Sequence, residues 1–310
     1  MATLITRNTF APIQIKMTDN KLELFVGSRL FQVKDETNDI SFPVLVQYPT
    51  HQPSSPTNFG PYTMDVCSDA KIIDGKFPLV VISHGNSGSH LLYRTISTFI
   101  AKRGYIVAML EHYGNNRNNN ELEKSIKNLQ YRPRHVSLTI DFLLSENIFG
   151  QSISIDKIAI VGHSFGGYTA LALAGGKPWT QTGQQVEVQN DPRIKALILM
   201  APAAAFFIPK NSLDKVNIPI LLLIAEHDQF TPKKWTADVV LNGVPDKSKV
   251  TLKTISNAGH FSFISPFPAT MKNPNFLPST DPDEFDREEF HKQLPTEILN
   301  FLNKKLNAKH

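Results

Sequence analysis

One cysteine, Cys67, is all the thiol this chain of 310 residues holds. No disulfide can form within it, so cysteine usage specifies neither an oxidising nor a reducing compartment. No apolar run is long enough to span a bilayer. The opening residues, MATLITRNTFAPIQIKMTDN, lack the basic start and apolar core of a secretory signal. A cytoplasmic protein without an integral membrane segment is expected, a secreted origin requiring a leader already removed. Charge of one sign is concentrated nowhere: 32 basic and 28 acidic residues are scattered along the chain, for a net +4. That pattern excludes a nucleic-acid-binding stripe and leaves a mildly positive surface. Internal repeats and linkers are lacking as well.

What is there is an ordinary globular composition, 41% hydrophobic and 19% charged, in which short apolar runs alternate with stretches of helical period. Such alternation favours a mostly parallel sheet with helices on both faces. The runs KLELFVG and FPVLVQYP read as early strands, antiparallel at the sheet edge. FPLVVIS (77–83), YIVAMLE (105–111), KIAIVGHS (157–164), KALILMAP (195–202), IPILLLIAEHD (218–228) and VTLKTIS (250–256) follow them. Helices are expected over 91–103, 133–146, 167–174, 232–241 and 290–306, the last broken or kinked at Pro295. Residues 115–120 and 273–283 read as loops. The spacing describes one α/β domain over 1–310, with room for a small cap or lid in 175–192 and 203–217.

Gly162-His163-Ser164-Phe165-Gly166 is G-x-S-x-G. A nucleophilic serine at a strand-to-helix turn needs small neighbours, because the turn brings backbone close and pushes the hydroxyl out of the sheet. The apolar IAIV before it and GYTALALA after it meet the strand-then-helix condition. A Gly-rich turn that serves only packing is the competing account, but it has no use for the unpaired N–H of Phe165 that a helix N-terminus would aim at a developing oxyanion.

A serine hydroxyl attacks poorly until a histidine takes its proton and a carboxylate orients that histidine. In this arrangement the acid and then the histidine follow the serine in the chain. His260, in the loop SNAGHFSF beyond the strand VTLKTIS, is the best base. His227 adjoins the acid and should point away, and His291 falls in the terminal helix at an expectedly exposed position. Asp228 closes the run ILLLIAEHD at the end of a buried strand, and Glu226 is its rival as acid. The loop SHGNSGS after the strand LVVIS supplies the second oxyanion donor, the N–H of Asn86, to partner that of Phe165.

These residues carry a resemblance. FPVLVQYPT, GPYTMDV, FPLVVISHGNSGS, RGYIVAMLEHYG, YRPRHVSLTIDFLL, IAIVGHSFGG, AEHD and AGHFSF occur in the order shown by α/β-hydrolases of the dienelactone-hydrolase-like branch, which includes the plasma-type platelet-activating factor acetylhydrolases. The chain resembles that branch over most of its length. The resemblance implies an α/β-hydrolase fold and a serine esterase with Ser164 as nucleophile, Asp228 as acid, His260 as base, and oxyanion donors from Asn86 and Phe165. It departs from the branch at Asn86, where relatives often carry an apolar residue, and at EHYGNN, which replaces a His-Pro-Gly turn. Serine in place of the cysteine found in dienelactone hydrolases proper disfavours that reaction.

The expected chemistry is acyl transfer from a carboxylic ester, of short-acyl or phospholipid type, through an acyl-enzyme, with no metal or organic cofactor. Candidate pocket residues are His84, His163, Tyr113, Phe206, Phe207 and Phe261, drawn partly from the runs APAAAFFIP and HFSFISPFP. Core packing is the competing account of the phenylalanines, and a packing role that of His163. An amidase or peptidase, or an acyltransferase or thioesterase, would use the same triad; a non-catalytic binding module would be expected to lack a member of it. The partner is a small-molecule ester, lipid-like esters included, and not nucleic acid; oligomeric state leaves no trace in the sequence.

Overall fold

In the computed structural model, residues 23–306 are described. The reading of the first residues as carrying no leader, and the start of the KLELFVG run, lie outside them. Ten strands, β1 (Phe25–Asp35), β2 (Ile40–Thr50), β3 (Ser55–Phe59), β4 (Tyr62–Ser68), β5 (Phe77–Ser83), β6 (Ile106–Leu110), β7 (Ile153–His163), β8 (Ile194–Met200), β9 (Ile220–Ala225) and β10 (Val250–Ile255), form one sheet. Their order is β10-β9-β8-β7-β5-β6-β2-β1-β4-β3. From β6 to β10 every neighbouring pair is parallel. β2 joins β6 and β1 antiparallel, β4 lies parallel to β1, and β3 closes the far edge against β4.

The central runs are continuously apolar because both faces of their strands are covered. Leu79 and Val81 of β5, Ile158 and Ile160 of β7, and Leu197 and Leu199 of β8 enter one core. Their alternates Val80, Ile82, Ala159, Val161, Ala196 and Ile198 enter the other. α1 (Arg94–Ala101) and α5 (Arg287–Leu306) cover the second face through Ile96, Ile100, Leu294, Ile298 and Leu302. α2 (Ile126–Ser145), α3 (Phe165–Leu173) and α4 (Ala237–Gly243) cover the first. After β5 the chain goes to β6 on one side and then to β7 on the other. The C-terminal ends of β5 and β7 therefore flank a reversal of strand order, where such sheets open a crevice. Among the described residues no helix is long and apolar enough to cross a membrane.

Several expectations change. β1 and β2 pair antiparallel as read, but the edge lies beyond them at β4, which buries Tyr62, Met64 and Val66 in alternation, and at β3, which has no buried residue. α2 starts at Ile126, capped by Ser125 Oγ on the Asn128 N–H at 3.1 Å, and runs through Pro133 instead of beginning there. A proline leaves the carbonyl four residues earlier without its helical donor. Here that carbonyl, of Leu129, accepts the Tyr168 hydroxyl at 2.9 Å, which is why the helix continues. α5 is likewise continuous through a buried Pro295. The 232–241 helix divides into a 3₁₀ turn, Lys233–Trp235, and α4.

Candidate active site

Ser164 stands between the end of β7 and the start of α3 with φ 53° and ψ −118°. An L-residue there carries strain of about 1–3 kcal/mol, so the surroundings must hold it. Its N–H donates to Met200 O at 3.0 Å, and its carbonyl accepts from Gly167 N at 2.9 Å and Ala203 N at 2.8 Å. The glycines of the motif are fixed by close approach. A Cβ at Gly166 would lie 1.9 Å from Ser83 O, and one at Gly162 would lie 2.3 Å from Gly166 O. The Ser164 hydroxyl caps no helix N–H; it faces His260 instead.

His260 Nε2 lies 2.9 Å from Ser164 Oγ, and His260 Nδ1 lies 2.8 Å from Asp228 Oδ2. With Nδ1–H donating to the carboxylate, Nε2 carries the lone pair toward the serine. Asp228 is 7% exposed and accepts three further bonds, from Phe230 N at 2.9 Å and Thr231 N at 2.8 Å on Oδ1, and from Thr231 Oγ1 at 2.7 Å on Oδ2. Burial alone would raise its pKa. The bonds from His260 and Thr231 outweigh that and hold it below the usual carboxylate range. Glu226 is exposed and accepts from Asn257 N at 2.9 Å, with no bond to His260.

His163 lies behind His260. Its Nε2–H donates to the His260 carbonyl at 2.9 Å and its Nδ1 accepts the Tyr93 hydroxyl at 2.9 Å, while the Tyr93 oxygen accepts from Gly85 N at 3.3 Å. Burial, with His260 beside it, pushes the His163 imidazole down to about 3. A neutral ring with both nitrogens committed to protein offers nothing to a substrate, which corrects its place among pocket residues. His84 is corrected on the same ground: it is fully buried, donates from Nδ1 to Gly85 O at 2.7 Å and accepts His112 N on Nε2 at 3.0 Å. Phe207 is buried against Tyr168, a core residue. Phe206 and Phe261 are half-buried and do border the site. Phe206 packs on Phe165 at 5.7 Å between centroids, and Phe261 packs edge-on to His260 at 5.1 Å. Tyr113 is half-buried, its phenol raised by a bond to Glu121. His227 is exposed. His291 is not: it is buried, with Nδ1 2.8 Å from Thr95 Oγ1 and Nε2 3.0 Å from Ser262 O, because α5 packs its inner face on the loop that carries His260.

The loop after β5 passes over Ser164 so closely that a Cβ at Gly85 would lie 3.3 Å from Ser164 Cβ. Among the described residues the amides of Asn86 and Phe165 are not spent on another protein acceptor. Asn86 is exposed, its side chain held by Asn115 Nδ2 at 2.9 Å and by Glu123 Oε1 at 3.0 Å. Sequence reasoning missed Tyr93, Arg132, Phe230 and Thr231. Phe230, 55% exposed, lies 5.1 Å from the His260 ring. Only Thr231 left a readable signal, a hydroxyl three residues after an aspartate at a turn. Among the described residues no three His, Cys, Asp or Glu side chains are grouped to hold a metal ion.

Comparison with known proteins agrees with this architecture. The Chlorophyllase family profile matches residues 50–216, which include Ser164 but stop short of Asp228 and His260. Cutinase est1 of Thermobifida alba is 23% identical over 185 residues, 59% of this chain and 53% of its own. The platelet-activating factor acetylhydrolase of Canis lupus familiaris is 26% identical over 176 residues, 43% of this chain and 40% of its own. The chain thus spans about half the length, or less, of these curated relatives. A solved ferulic acid esterase from Streptomyces cinnamoneus shares the fold with a TM-score of 0.67 over 92% of this chain and 91% of that one, at 17% identity.

Proposed function

The chain belongs to the chlorophyllase family and has the α/β-hydrolase fold, and from that premise we propose that it is a serine carboxylesterase acting through an acyl-enzyme on Ser164. The observation that carries this reading is the hydrogen-bonded line Ser164 Oγ, His260, Asp228, at 2.9 and 2.8 Å, ending on a serine held strained at a helix N-terminus. Ser164 Oγ attacks the ester carbonyl carbon and its proton passes to His260 Nε2, while Asp228 stabilises the imidazolium. The N–H groups of Asn86 and Phe165 receive the oxyanion. Collapse breaks the bond to the alcohol, which leaves with the proton from His260. Water, deprotonated by His260, then releases the carboxylic acid and returns the proton to Ser164.

The names of the relatives, a cutinase and an acetylhydrolase, and of the fold neighbour, an esterase, support carboxylic esters as the bond class. Phe206, Phe230 and Phe261 beside the site support an apolar acyl or alcohol group, lipid-like esters of short acyl chain among them. The test is hydrolysis of p-nitrophenyl esters from acetate to palmitate by the wild type and by Ser164→Ala. Loss of about 10³-fold or more in kcat is expected in the variant. Full activity in Ser164→Ala would refute the mechanism. A wild type inert on every ester would direct the search to amides or acyl transfer.

A further inference from the structure

Arg132 lies on the inner side of α2, wholly buried, and none of its hydrogen-bond partners is a carboxylate. A buried guanidinium without an acid is costly to the fold, because water is lost and no opposite charge replaces it. Its placement gives a reason for keeping it. Nη2 donates to the carbonyl of His84, two residues before Asn86. Nη1 donates to Asn115 Oδ1 at 2.8 Å, and Asn115 Nδ2 in turn donates to Asn86 Oδ1 at 2.9 Å. Nε donates to Thr169 Oγ1 at 3.2 Å, and that hydroxyl bonds Phe165 O at 3.1 Å. The guanidinium carbon sits 4.8 Å from the centre of the Phe165 ring. One side chain therefore grips both segments that carry the oxyanion donors, the loop after β5 and the first turn of α3.

We propose that Arg132 is the positioning residue of the oxyanion site, fixing the Asn86 and Phe165 amides relative to each other and supplying an unneutralised positive charge behind them. The proposal rests on the serine-esterase reading above. Its imidazole neighbours are poor competitors for that charge. His84, His112 and His135 are all buried with lowered pKa values, from desolvation first and the Arg132 charge second. Burial pushes Arg132 itself down only to about 9, so the charge is present at neutral pH. An oxyanion formed in front of this buried charge feels it more than a neutral ground-state ester does. The effect belongs in kcat and not in KM.

The experiment compares wild type, Arg132→Met, Arg132→Lys, Thr169→Val and Asn115→Ala on p-nitrophenyl butyrate. It also measures each variant's affinity for an aryl trifluoromethyl ketone, whose adduct with a serine is a tetrahedral oxyanion. Arg132→Met is expected to lose about a hundredfold in kcat, as for loss of one oxyanion donor, with KM within about threefold and ketone affinity reduced in parallel. Arg132→Lys, which keeps the charge but not the fork, should recover about tenfold of that loss. Thr169→Val and Asn115→Ala each cut one grip and should lose about three- to tenfold in kcat, again in step with ketone affinity. If Arg132→Met does not fold, the other three variants decide by the same parallel. Unchanged ketone affinity in variants that have lost activity or melting temperature would overturn the proposal and leave Arg132 a packing residue. Ser164→Ala is run alongside: if it keeps full activity, the esterase mechanism fails, and that outcome is separate from any result at Arg132.

Discussion

At the scale of the residue, the site is a matter of which carboxylate a histidine can reach. Asp228 and Glu226 both follow the apolar run of β9, yet Asp228 turns into the interior while Glu226 caps the Asn257 amide at the surface. Asp228→Asn should therefore lower kcat by about 10⁴, the scale on which a triad acid orients its histidine. Glu226→Gln, an exposed change, should stay within about 0.5 kcal/mol in stability and about twofold in rate. The comparison is made on one ester with both variants, and a larger loss in the glutamine variant would reverse the assignment. pH follows with its own sign. Asp228 is held below its ordinary value, so its pairing is at full strength above about pH 4 and is lost only as pH falls through the lower native value. An acid limb of the rate between pH of about 5 and 7 is then not the titration of Asp228.

At the scale of the element, α2 holds both the most informative helix of the fold and the hardest to read. Its inner side carries Asn128, Arg132 and His135 among Leu129, Val136 and Ile140, which breaks the apolar period that marks a helix. Pro133 then reads as the start of a helix that in fact runs through it. The strands β5 to β9 were legible because their residues meet apolar neighbours on both faces, and Ser164 and Asp228 because each stands just past such a strand; His260 follows the half-exposed edge strand β10 and was legible from chain order and its Gly-containing loop. Arg132 and Tyr93 were not, since their roles arise only when α2 and the 3₁₀ turn His90–Tyr93 are folded over the ends of β5 and β7. The Pro133 account can be tested by a double-mutant cycle. Tyr168→Phe should cost about 1–2 kcal/mol in the wild type, because it strands the Leu129 carbonyl in the interior. In Pro133→Ala, the new N–H of residue 133 can serve that carbonyl, and the same change should cost less by about 1 kcal/mol. Urea unfolding gives both values, and an equal cost in the two backgrounds would show that the hydroxyl is not compensating the proline.

At the scale of the whole molecule, the fold depends on keeping histidines neutral inside it. His163 and His291 are buried at separate places, one between β7 and the His260 loop, the other between α5, α1 and the same loop. Burial pushes them down to about 3 and about 4, His163 with help from His260 and His291 from Arg287 and Arg94. A histidine whose native value lies below the unfolded value of about 6.5 binds its proton first in the unfolded chain. Stability is then full above about pH 6.5 and falls as pH drops toward the native value, at about 1.4 kcal/mol per pH unit for each such group. Between pH of about 6.5 and 4.5 the two together remove about 5 kcal/mol, a large share of the about 5–15 kcal/mol that holds an ordinary domain. Acid should therefore unfold the molecule before it protonates Asp228. Urea midpoints at pH 7, 6 and 5 measure the slope. His291→Gln, which keeps an amide donor for the Ser262 carbonyl, should flatten it by about one proton's worth, and a wild-type midpoint that stays level across this range would show that the buried histidines do not govern acid stability.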